Sequence, residues 1–268
     1  MSPTPGVSEE DRRAHLETAE LEVVGRFADA SNATLLVRLR APGGVWPELP
    51  VDDAGGLAIA DLPADGFGVW KPRLGEAPLW DFPDGTLHRR EVAAYEVDRL
   101  LGTGLVPLTV VRGDDVPHGP GALQRFVPHD PQAHYFTLLE RGDDAVVAQL
   151  RAMVVLDLVL DNADRKGGHV LLEGDRVRLV DHGVCFHPEP HLRTVAWHFA
   201  GEPVPEELRS PVARLADLLA GRDPATDALR DLLDDVEVTR LRERCEEVAG
   251  LERFPAPAGP RSTPWPLL

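Results

Sequence analysis

The feature that most constrains the fold of this 268-residue chain is a change of residue pattern near residue 127. Before that point, short runs rich in β-branched and aromatic residues alternate with turn residues, a pattern typical of β-strands. One amphipathic segment, residues 87–102, interrupts the runs and predicts a helix that ends at Gly102. The predicted strands cover residues 21–27, 34–40, 57–62, 66–72, 106–112 and 121–127.

Beyond residue 127 the pattern is mainly helical. Residues 143–161 are almost wholly apolar from Met153 to Leu160, and the run is too short for a membrane span, so it predicts a buried central helix. The elements predicted after it are a hairpin over 169–180 and amphipathic helices near 206–220 and 225–249. We therefore expect an α+β protein with a flexible N-terminus (1–18), a β-rich N-terminal lobe (19–127), a mainly helical C-terminal lobe (128–253) and a Pro-rich tail, extended or disordered (254–268).

The composition of the chain limits which classes of molecule it is expected to bind. The formal net charge of −17 argues against nucleic acid as a partner and against general electrostatic docking on an anionic membrane. Two cysteines without CxxC spacing provide no disulfide framework. No apolar run is long enough for a membrane span, and the acidic start is unlike a signal peptide. We expect a monomeric cytoplasmic protein with no stable membrane insertion.

Lysine is rare in this chain. Only Lys71, in "GVWKPR", and Lys166, in "DNADRKGGH", occur among 28 basic residues. Ammonium is a compact point charge on a slim stem, whereas guanidinium is a wide planar fork. A lysine in an arginine-dominated chain therefore indicates a place that needs a narrow positive charge. The alternative is that both are surface residues without a role.

Polar residues follow one another in an order that suits phosphoryl transfer. That chemistry needs a phosphate cover, a cation on the phosphates, a carboxylate that fixes the cation, a base and metal ligands. The signals, in chain order, are a turn with Ser31 and Asn32, Lys71 on a strand, Glu91 early in a helix, Asp164 after the buried helix, and Asp181 after the hairpin.

Two blocks carry a resemblance to a known family. "DRKGGHVLLEGDRVRLVDHG" (164–183) resembles phosphatidylinositol 3- and 4-kinases, in which a catalytic loop beginning Asp-Arg is followed by a hairpin and Asp-Phe-Gly. "KPRLGEAPLWDFPDGTLHRREVAAYEVDRLLG" (71–102) resembles the lysine strand and helix of uncharacterised actinobacterial relatives. Over roughly residues 20–250, the chain is similar to the atypical branch of the protein-kinase-like superfold, which includes HipA-like kinases. The resemblance implies a bilobal kinase-like fold that uses ATP with Mg²⁺ or Mn²⁺ to phosphorylate an acceptor.

The resemblance also implies roles for single residues. Lys71 would bind the α- and β-phosphates, and Glu91 would hold it, with Glu96 as a rival partner. Asp164 would orient or accept the proton of the attacking hydroxyl, and Asp181 would bind the metal. Each has an ordinary alternative: a surface lysine, a solvated glutamate, a helix-capping aspartate and a turn aspartate.

Further roles are less specific. Ser31 and Asn32 could donate to phosphate oxygens, although such residues are common in turns. Lys166 could assist the transferred phosphate or be solvated. The stretch "LQRFV" resembles the segment against which adenine sits, which predicts nucleotide contacts through the backbone groups of Gln124, Phe126 and Val127.

His169 departs from the family pattern, which has a metal-binding Asn at this place. Imidazole favours softer ions such as Mn²⁺ over Mg²⁺. His169 could bind the second metal, Asn162 could supply an amide instead, or one metal could suffice. The departure also allows a second hypothesis, an inactive ATP-binding pseudokinase that acts as a regulatory module.

A histidine-rich span offers a third hypothesis, a zinc site or metal hydrolase. It contains His182, His187, His191 and His198 beside Cys185. Their spacings fit no compact metal motif, so solvated or structural histidines are the favoured interpretation. The phosphate acceptor stays open between a lipid headgroup, a protein hydroxyl and a small metabolite, although the acidic balance disfavours a membrane lipid.

Overall fold

The computed structural model describes residues 7–27, 32–53, 55–259 and 261–268. Its helices are α1 (Glu9–Thr18), α2 (Leu87–Leu101), α3 (Tyr135–Arg141), α4 (Asp144–Leu160), α5 (Glu206–Ala220), α6 (Asp227–Leu232) and α7 (Asp235–Ala249). Its strands are β1 (Glu20–Arg26), β2 (Leu35–Arg40), β3 (Phe67–Pro72), β4 (Thr109–Arg112), β5 (Gly121–Arg125), β6 (Val170–Glu173) and β7 (Arg176–Leu179). The predicted division into a β-rich part followed by a helical part is confirmed.

The first five strands form one antiparallel sheet in the order β1-β2-β3-β5-β4. Trp70 of β3 lies opposite Leu35 on one neighbouring strand and Leu123 on the other, and all three side chains are buried. Alternation along β3 places Trp70 and Lys71 on opposite faces. The strand predicted at 57–62 is wrong: Leu57 makes one isolated bridge, and Ile59–Asp61 form a 3₁₀ turn.

Helix α2 packs on this sheet through a continuous small-residue face. Ala93, Ala94 and Val97 are fully buried in the main core. The helix ends at Gly102, which adopts the left-handed conformation (φ 73°) and donates to the carbonyls of residues 98 and 99. Glycine adopts this conformation without a steric penalty, so the predicted stop is confirmed.

Residues 9–18, part of the segment 1–18 that the sequence predicted to be flexible, form the helix α1. Ser8 and Asp11 form a capping box at the start of α1. Arg13 then bonds Glu96 (2.8 Å), and Glu9 accepts from the Tyr95 hydroxyl (2.6 Å), so α1 is fixed against α2.

The helical part is built around the buried helix α4. Asp143 caps its first turn by accepting from the backbone N–H groups of residues 145 and 146. The single helix predicted near 225–249 is divided into α6 and α7, because Asp234 caps a new helix start through a box with Glu237. Helix α3, just after the sheet, was not predicted. None of the helices in the described part of the chain has both the length and the apolar character needed to cross a bilayer.

The sheet and the helices share one hydrophobic core. This core extends from Trp70 and Leu123 in the sheet to Leu150 in α4 and Val212 in α5. A buried ion pair adds a polar connection, because Arg125 of β5 donates twice to Glu173 of the β6–β7 hairpin, with both distances 2.8 Å. Charges at such depth are stable only when paired in this way.

The tail residues 254–259 and 261–268 pack on the rest of the protein. The carbonyl of Ser262 accepts from the backbone N–H of Thr194 (3.0 Å), and the carbonyl of Leu267 accepts from that of Gly167 (2.7 Å). Ser262 is buried, whereas Trp265 is 88% exposed.

Candidate active site

Lys71 lies between two acidic side chains that come from distant parts of the chain. Its Nζ donates to Glu91 on α2 and to Asp181 Oδ1 at 3.1 Å. Burial alone would lower the pKa of Lys71, but the charges of Asp181 and Glu91 outweigh burial and raise it. The ammonium is therefore charged at neutral pH, and the structure brings together three of the residues that the sequence singled out.

Glu91 is the acidic partner on α2, and Glu96 is not. Glu91 is 3% exposed and also accepts from the backbone N–H of His182 (3.0 Å), directly after Asp181. Burial raises the pKa of Glu91, and the charge of Lys71 opposes that effect. Glu96 instead pairs with Arg13 and Arg99.

Asp181 has an unusual backbone conformation. Its φ is +63°, in the left-handed region that few residues other than glycine adopt. Such local strain persists only when the surroundings hold it, and it is common at functional sites. The Asp181 side chain is 48% exposed, and the charge of Lys71 holds its pKa well below the usual range. Asp181 is therefore an ionised carboxylate that faces solvent.

Asp164, His169 and Asp181 form a cluster suited to a cation. One ligand atom from each lies within 4.8 Å of the other two. His169 Nε2 is 3.4 Å from Asp181 Oδ2. Burial lowers the pKa of His169 to about 4, so the ring is neutral at pH 7 and has a lone pair available. Two carboxylates and one imidazole fit Mn²⁺ well and Mg²⁺ less well.

Asp164 is paired with Lys166, whose Nζ lies 2.9 Å from Asp164 Oδ2. Burial raises the pKa of Asp164, and the bond and charge of Lys166 oppose the rise. The backbone N–H of Asp164 donates to Asn162 Oδ1 (3.0 Å), which fixes the start of the loop. Asn162 also donates to Asp157 and is fully buried, so both of its amide groups are engaged and it is unsuited to bind a metal.

A buried network supports the cluster, and the sequence interpretation missed it. Arg165 is fully buried, forms an ion pair with Asp157 on α4 (3.0 Å), and donates to His182 Nε2 (2.8 Å). It also donates to the carbonyl of Val180 (3.0 Å), just before Asp181. A lone Asp157 in the apolar run from Met153 to Leu160 was the available signal, since a buried carboxylate needs a partner.

Asn32, just before β2, lies beside the Lys71 site. Asn32, Lys71, Glu91 and Asp181 line the same cleft. Asn32 Oδ1 accepts from the N–H of Ala77 (2.8 Å), which leaves its amide N–H groups as the donors that a phosphate oxygen could use. Ser31, predicted beside it, lies outside the described residues.

The loop after β3 fixes the start of α2. Glu76 accepts from the backbone N–H groups of Leu87 (3.2 Å) and His88 (2.8 Å) and from the His88 ring. Helix starts leave such N–H groups unpaired, so Glu76 serves as a distant cap. Burial would raise the pKa of Glu76, but the bonds from His88 outweigh it and lower the pKa.

The segment predicted to face adenine is largely engaged in the sheet. Gln124 pairs with Val69 on one side and Thr109 on the other, and its side chain donates to the Thr109 hydroxyl (2.9 Å). Phe126 is buried and donates to the carbonyl of residue 67, while Val127 accepts from the His129 ring (2.7 Å). Gln124 is therefore unsuited to nucleotide contact, because a central strand uses its backbone groups on both sides.

The histidine span does not form a metal site. His182 is buried against Arg165, the rings of His187 and His191 stack with centroids 3.8 Å apart, and His198 packs edge-on against Phe199. Across residues 7–27, 32–53, 55–259 and 261–268, the three-ligand group is the Asp164 cluster, and it contains none of these four. The hypothesis of a metal hydrolase at the histidine span is therefore wrong for the described chain.

The chain is similar to known proteins in sequence and in fold. No protein-family model matches the chain. Protein Rv2133c of Mycobacterium tuberculosis (strain ATCC 25618 / H37Rv) is similar at 38% identity over 287 residues, which cover 96% of this chain and 95% of that protein. The crystal structure of the Golgi casein kinase with Mn/ADP bound is similar with a TM-score of 0.51 at 12% identity, over 90% of this chain and 74% of that chain. The Helicobacter pylori proinflammatory kinase CtkA has a TM-score of 0.47 at 10% identity, over 88% and 94%.

An identity of 12% supports a statement about the fold alone. The chain has a kinase-like fold, with a five-stranded antiparallel sheet followed by a helical part. The predicted bilobal α+β fold class is confirmed.

Proposed function

This chain belongs to the family of protein Rv2133c of Mycobacterium tuberculosis, and from its kinase-like fold and the arrangement of its site we propose that it is an ATP-dependent phosphotransferase. The proposal places it with the phosphatidylinositol 3-/4-kinase-like and HipA-like kinases. The observation that carries it is the convergence of Lys71, Glu91, Asp181 and Asp164 from four separate elements on one cleft.

In this proposal, residues 19–127 cover the nucleotide and residues 128–253 supply the reacting groups. Lys71 exchanges its contact with Asp181 for the α- and β-phosphates, and Glu91 keeps the ammonium in place during the exchange. The slim lysine stem suits this position because the cation already has two neighbouring carboxylates.

Asp181 and His169 are the proposed ligands of Mg²⁺ or Mn²⁺, with Asp164 beside them. A divalent ion there would neutralise charge on the phosphate oxygens. The Golgi casein kinase structure contains Mn and ADP, which agrees with the imidazole in this ligand set.

Asp164 is the proposed base. It orients the acceptor hydroxyl and takes its proton as the bond between the hydroxyl oxygen and the γ-phosphorus forms, while the bond from that phosphorus to the β,γ-bridging oxygen breaks and ADP leaves with its electron pair. Burial raises the pKa of Asp164, which strengthens it as a base, and Lys166 keeps it ionised before reaction. Lys166 is then placed to pair with the transferred phosphoryl group.

Transfer of labelled phosphate from ATP tests the proposal. The purified protein is incubated with Mg²⁺ or Mn²⁺ and a fractionated extract as the source of acceptors. We expect transfer by the wild type, none by Lys71→Ala, and a severe loss in Lys71→Arg, which keeps the charge but not the slim shape. Equal turnover in all three proteins would refute the proposed role of Lys71.

A nucleotide-binding pseudokinase is the second candidate. His169 favours it, because an imidazole stands where the related kinases have an Asn. That function predicts thermal stabilisation by ATP without turnover, with either metal and with every acceptor fraction. Replacement His169→Asn would then be expected to create transfer rather than abolish it.

A further inference from the structure

The tail beside the catalytic loop carries an inference that the proposed function does not contain. Residues 193–195 run along the start of this loop: Arg165 donates to the carbonyl of Arg193 (3.0 Å), and Val195 donates to that of Arg165 (3.1 Å). The tail adds a further layer, since Ser262 accepts from the N–H of Thr194 (3.0 Å). The tail therefore contacts the segment that pairs with Arg165, the residue after Asp164.

The groups that hold the tail recognise polypeptide backbone. The Ser262 carbonyl accepts from the N–H of Thr194 and from Trp197 Nε1 (3.0 Å). Five residues later, the Leu267 carbonyl accepts from the N–H of Gly167, three residues after the proposed base (2.7 Å). All three donors face main-chain carbonyls, so these contacts do not depend on the side chains of the segment that they hold.

The surface formed by Gly167, Thr194 and Trp197, which holds the tail, is called the groove here. An apolar contact fixes the end of the tail in this groove. A Cβ added at Gly167 would come within 2.8 Å of the Phe136 ring and 2.9 Å of Leu268 Cδ2, so glycine permits a close approach of the tail. The end of the tail is nevertheless only partly buried, because Leu268 is 58% exposed and Trp265 is 88% exposed.

On the basis of the proposed function, we infer that this groove binds a backbone segment of a protein acceptor and that the tail, residues 262–268, competes for it. The acceptor is therefore a polypeptide hydroxyl, not a lipid headgroup or a small metabolite. An acceptor segment takes the two backbone positions of the tail, and a Ser or Thr beside them reaches Asp164. The tail limits access in the absence of such a segment.

Peptide binding tests the groove without requiring catalysis. A fluorescein-labelled peptide with the sequence of residues 259–268 is titrated into the full chain and two tail variants. Leu268→Asp removes the apolar contact, and Trp265→Ala is the matched control because that side chain is solvent-exposed. We expect the peptide to bind Leu268→Asp roughly fivefold more tightly than the wild type. The Trp265→Ala variant should bind it like the wild type.

A second experiment on the same variants measures phosphate transfer to peptides. With ATP and a degenerate peptide mixture centred on Ser or Thr, Leu268→Asp should lower the acceptor KM by a similar factor and leave kcat and the ATP KM unchanged. The tail peptide should compete with the acceptor peptides and not with ATP. Vesicles that contain phosphatidylinositol, and small alcohols, serve as the other acceptors.

The outcomes separate the two proposals. Transfer to peptides with no difference between Leu268→Asp and Trp265→Ala would overturn the groove and leave the phosphotransferase intact. Transfer to vesicles or small alcohols alone would also overturn the groove. Tail-dependent peptide binding without transfer to any acceptor would support the groove as a polypeptide site and refute the phosphotransferase.

Discussion

Replacement Asp181→Asn is the most informative single perturbation of the site. Asparagine has nearly the same shape as aspartate and also tolerates the left-handed backbone (φ +63°), so the change removes a charge without adding backbone strain. A unit-charge pair at the 3.1 Å that separates Lys71 from Asp181 is worth about 1.3 kcal/mol in a water-like medium and about 5 kcal/mol at an effective dielectric constant of 20.

The net stability change is nearer the lower value. The Asp181 side chain is 48% exposed, so solvent screens the pair, and the neighbouring Glu91 gains from losing a like charge. We expect a loss of about 1 kcal/mol, which lowers Tm by about 2–4 °C in a protein of this size. Phosphate transfer, in contrast, should fall about 10²–10³-fold, as when one preorganised charge is removed from an active site.

The assay combines transfer from labelled ATP with differential scanning calorimetry. Asp175→Asn is the matched control, because Asp175 is an exposed residue in the β6–β7 turn. The control should retain full transfer and full stability. Transfer by Asp181→Asn within tenfold of the wild type would refute the metal-binding role of Asp181. A Tm loss above about 10 °C would instead show that the site is mainly structural.

Three further predictions concern the surroundings of the cluster. Arg165→Ala leaves buried Asp157 without its positively charged partner and should lower the free energy of unfolding by about 3–5 kcal/mol in urea titrations, whereas Arg165→Met with Asp157→Leu should recover most of the loss. The pKa of His169 is about 4 in the folded chain and about 6.5 when unfolded, so its neutral form favours folding above pH 6.5 and this contribution is lost as pH falls toward 4. His169→Asn should therefore reduce the stability difference between pH 7 and pH 5 by about 2 kcal/mol, and an unchanged difference would contradict the assignment. Lys166→Ala removes the charge that opposes the raised pKa of Asp164, so the acid limb of the kcat profile should move to higher pH, and an unmoved limb would exclude Asp164 as the titrating base.

Much of the architecture could be predicted because the spacing of apolar residues was regular and the residues that end helices were easy to recognise. The apolar run of α4 and the glycine after α2 fixed two helices nearly to the residue. Helix α1 was missed because Leu16 is its one buried side chain, so it lacks an apolar stripe. Its capping box, Ser8 with Asp11, was the signal that could have revealed it. The wrong strand at 57–62 contains one β-branched residue, Ile59, and has little to pack on a pleated surface.

The sequence predicted which residues form the site better than it predicted which of their side chains contact one another. Lysine rarity and spacing indicated Lys71 and Asp181, but the choice of Glu91 over Glu96 depends on which side of α2 faces the sheet and which faces α1. The contact of Arg165 with His182 depends on the return of the chain after the hairpin, which no local pattern encodes. The roles of all these residues stay predictions until transfer is measured.

The shared core and the Arg125–Glu173 pair limit how nucleotide could enter and leave. Moving the two parts apart as rigid bodies would expose buried apolar side chains and separate the ion pair at once. The free energy that this needs is rarely available from thermal motion at room temperature. Under the proposed function, exchange would then require only a local opening at the rim of the cleft, such as release of the hydrogen bond between Ala77 and Asn32. Turnover in such an enzyme would be limited by the rate of this local opening and not by a hinge motion between the two parts.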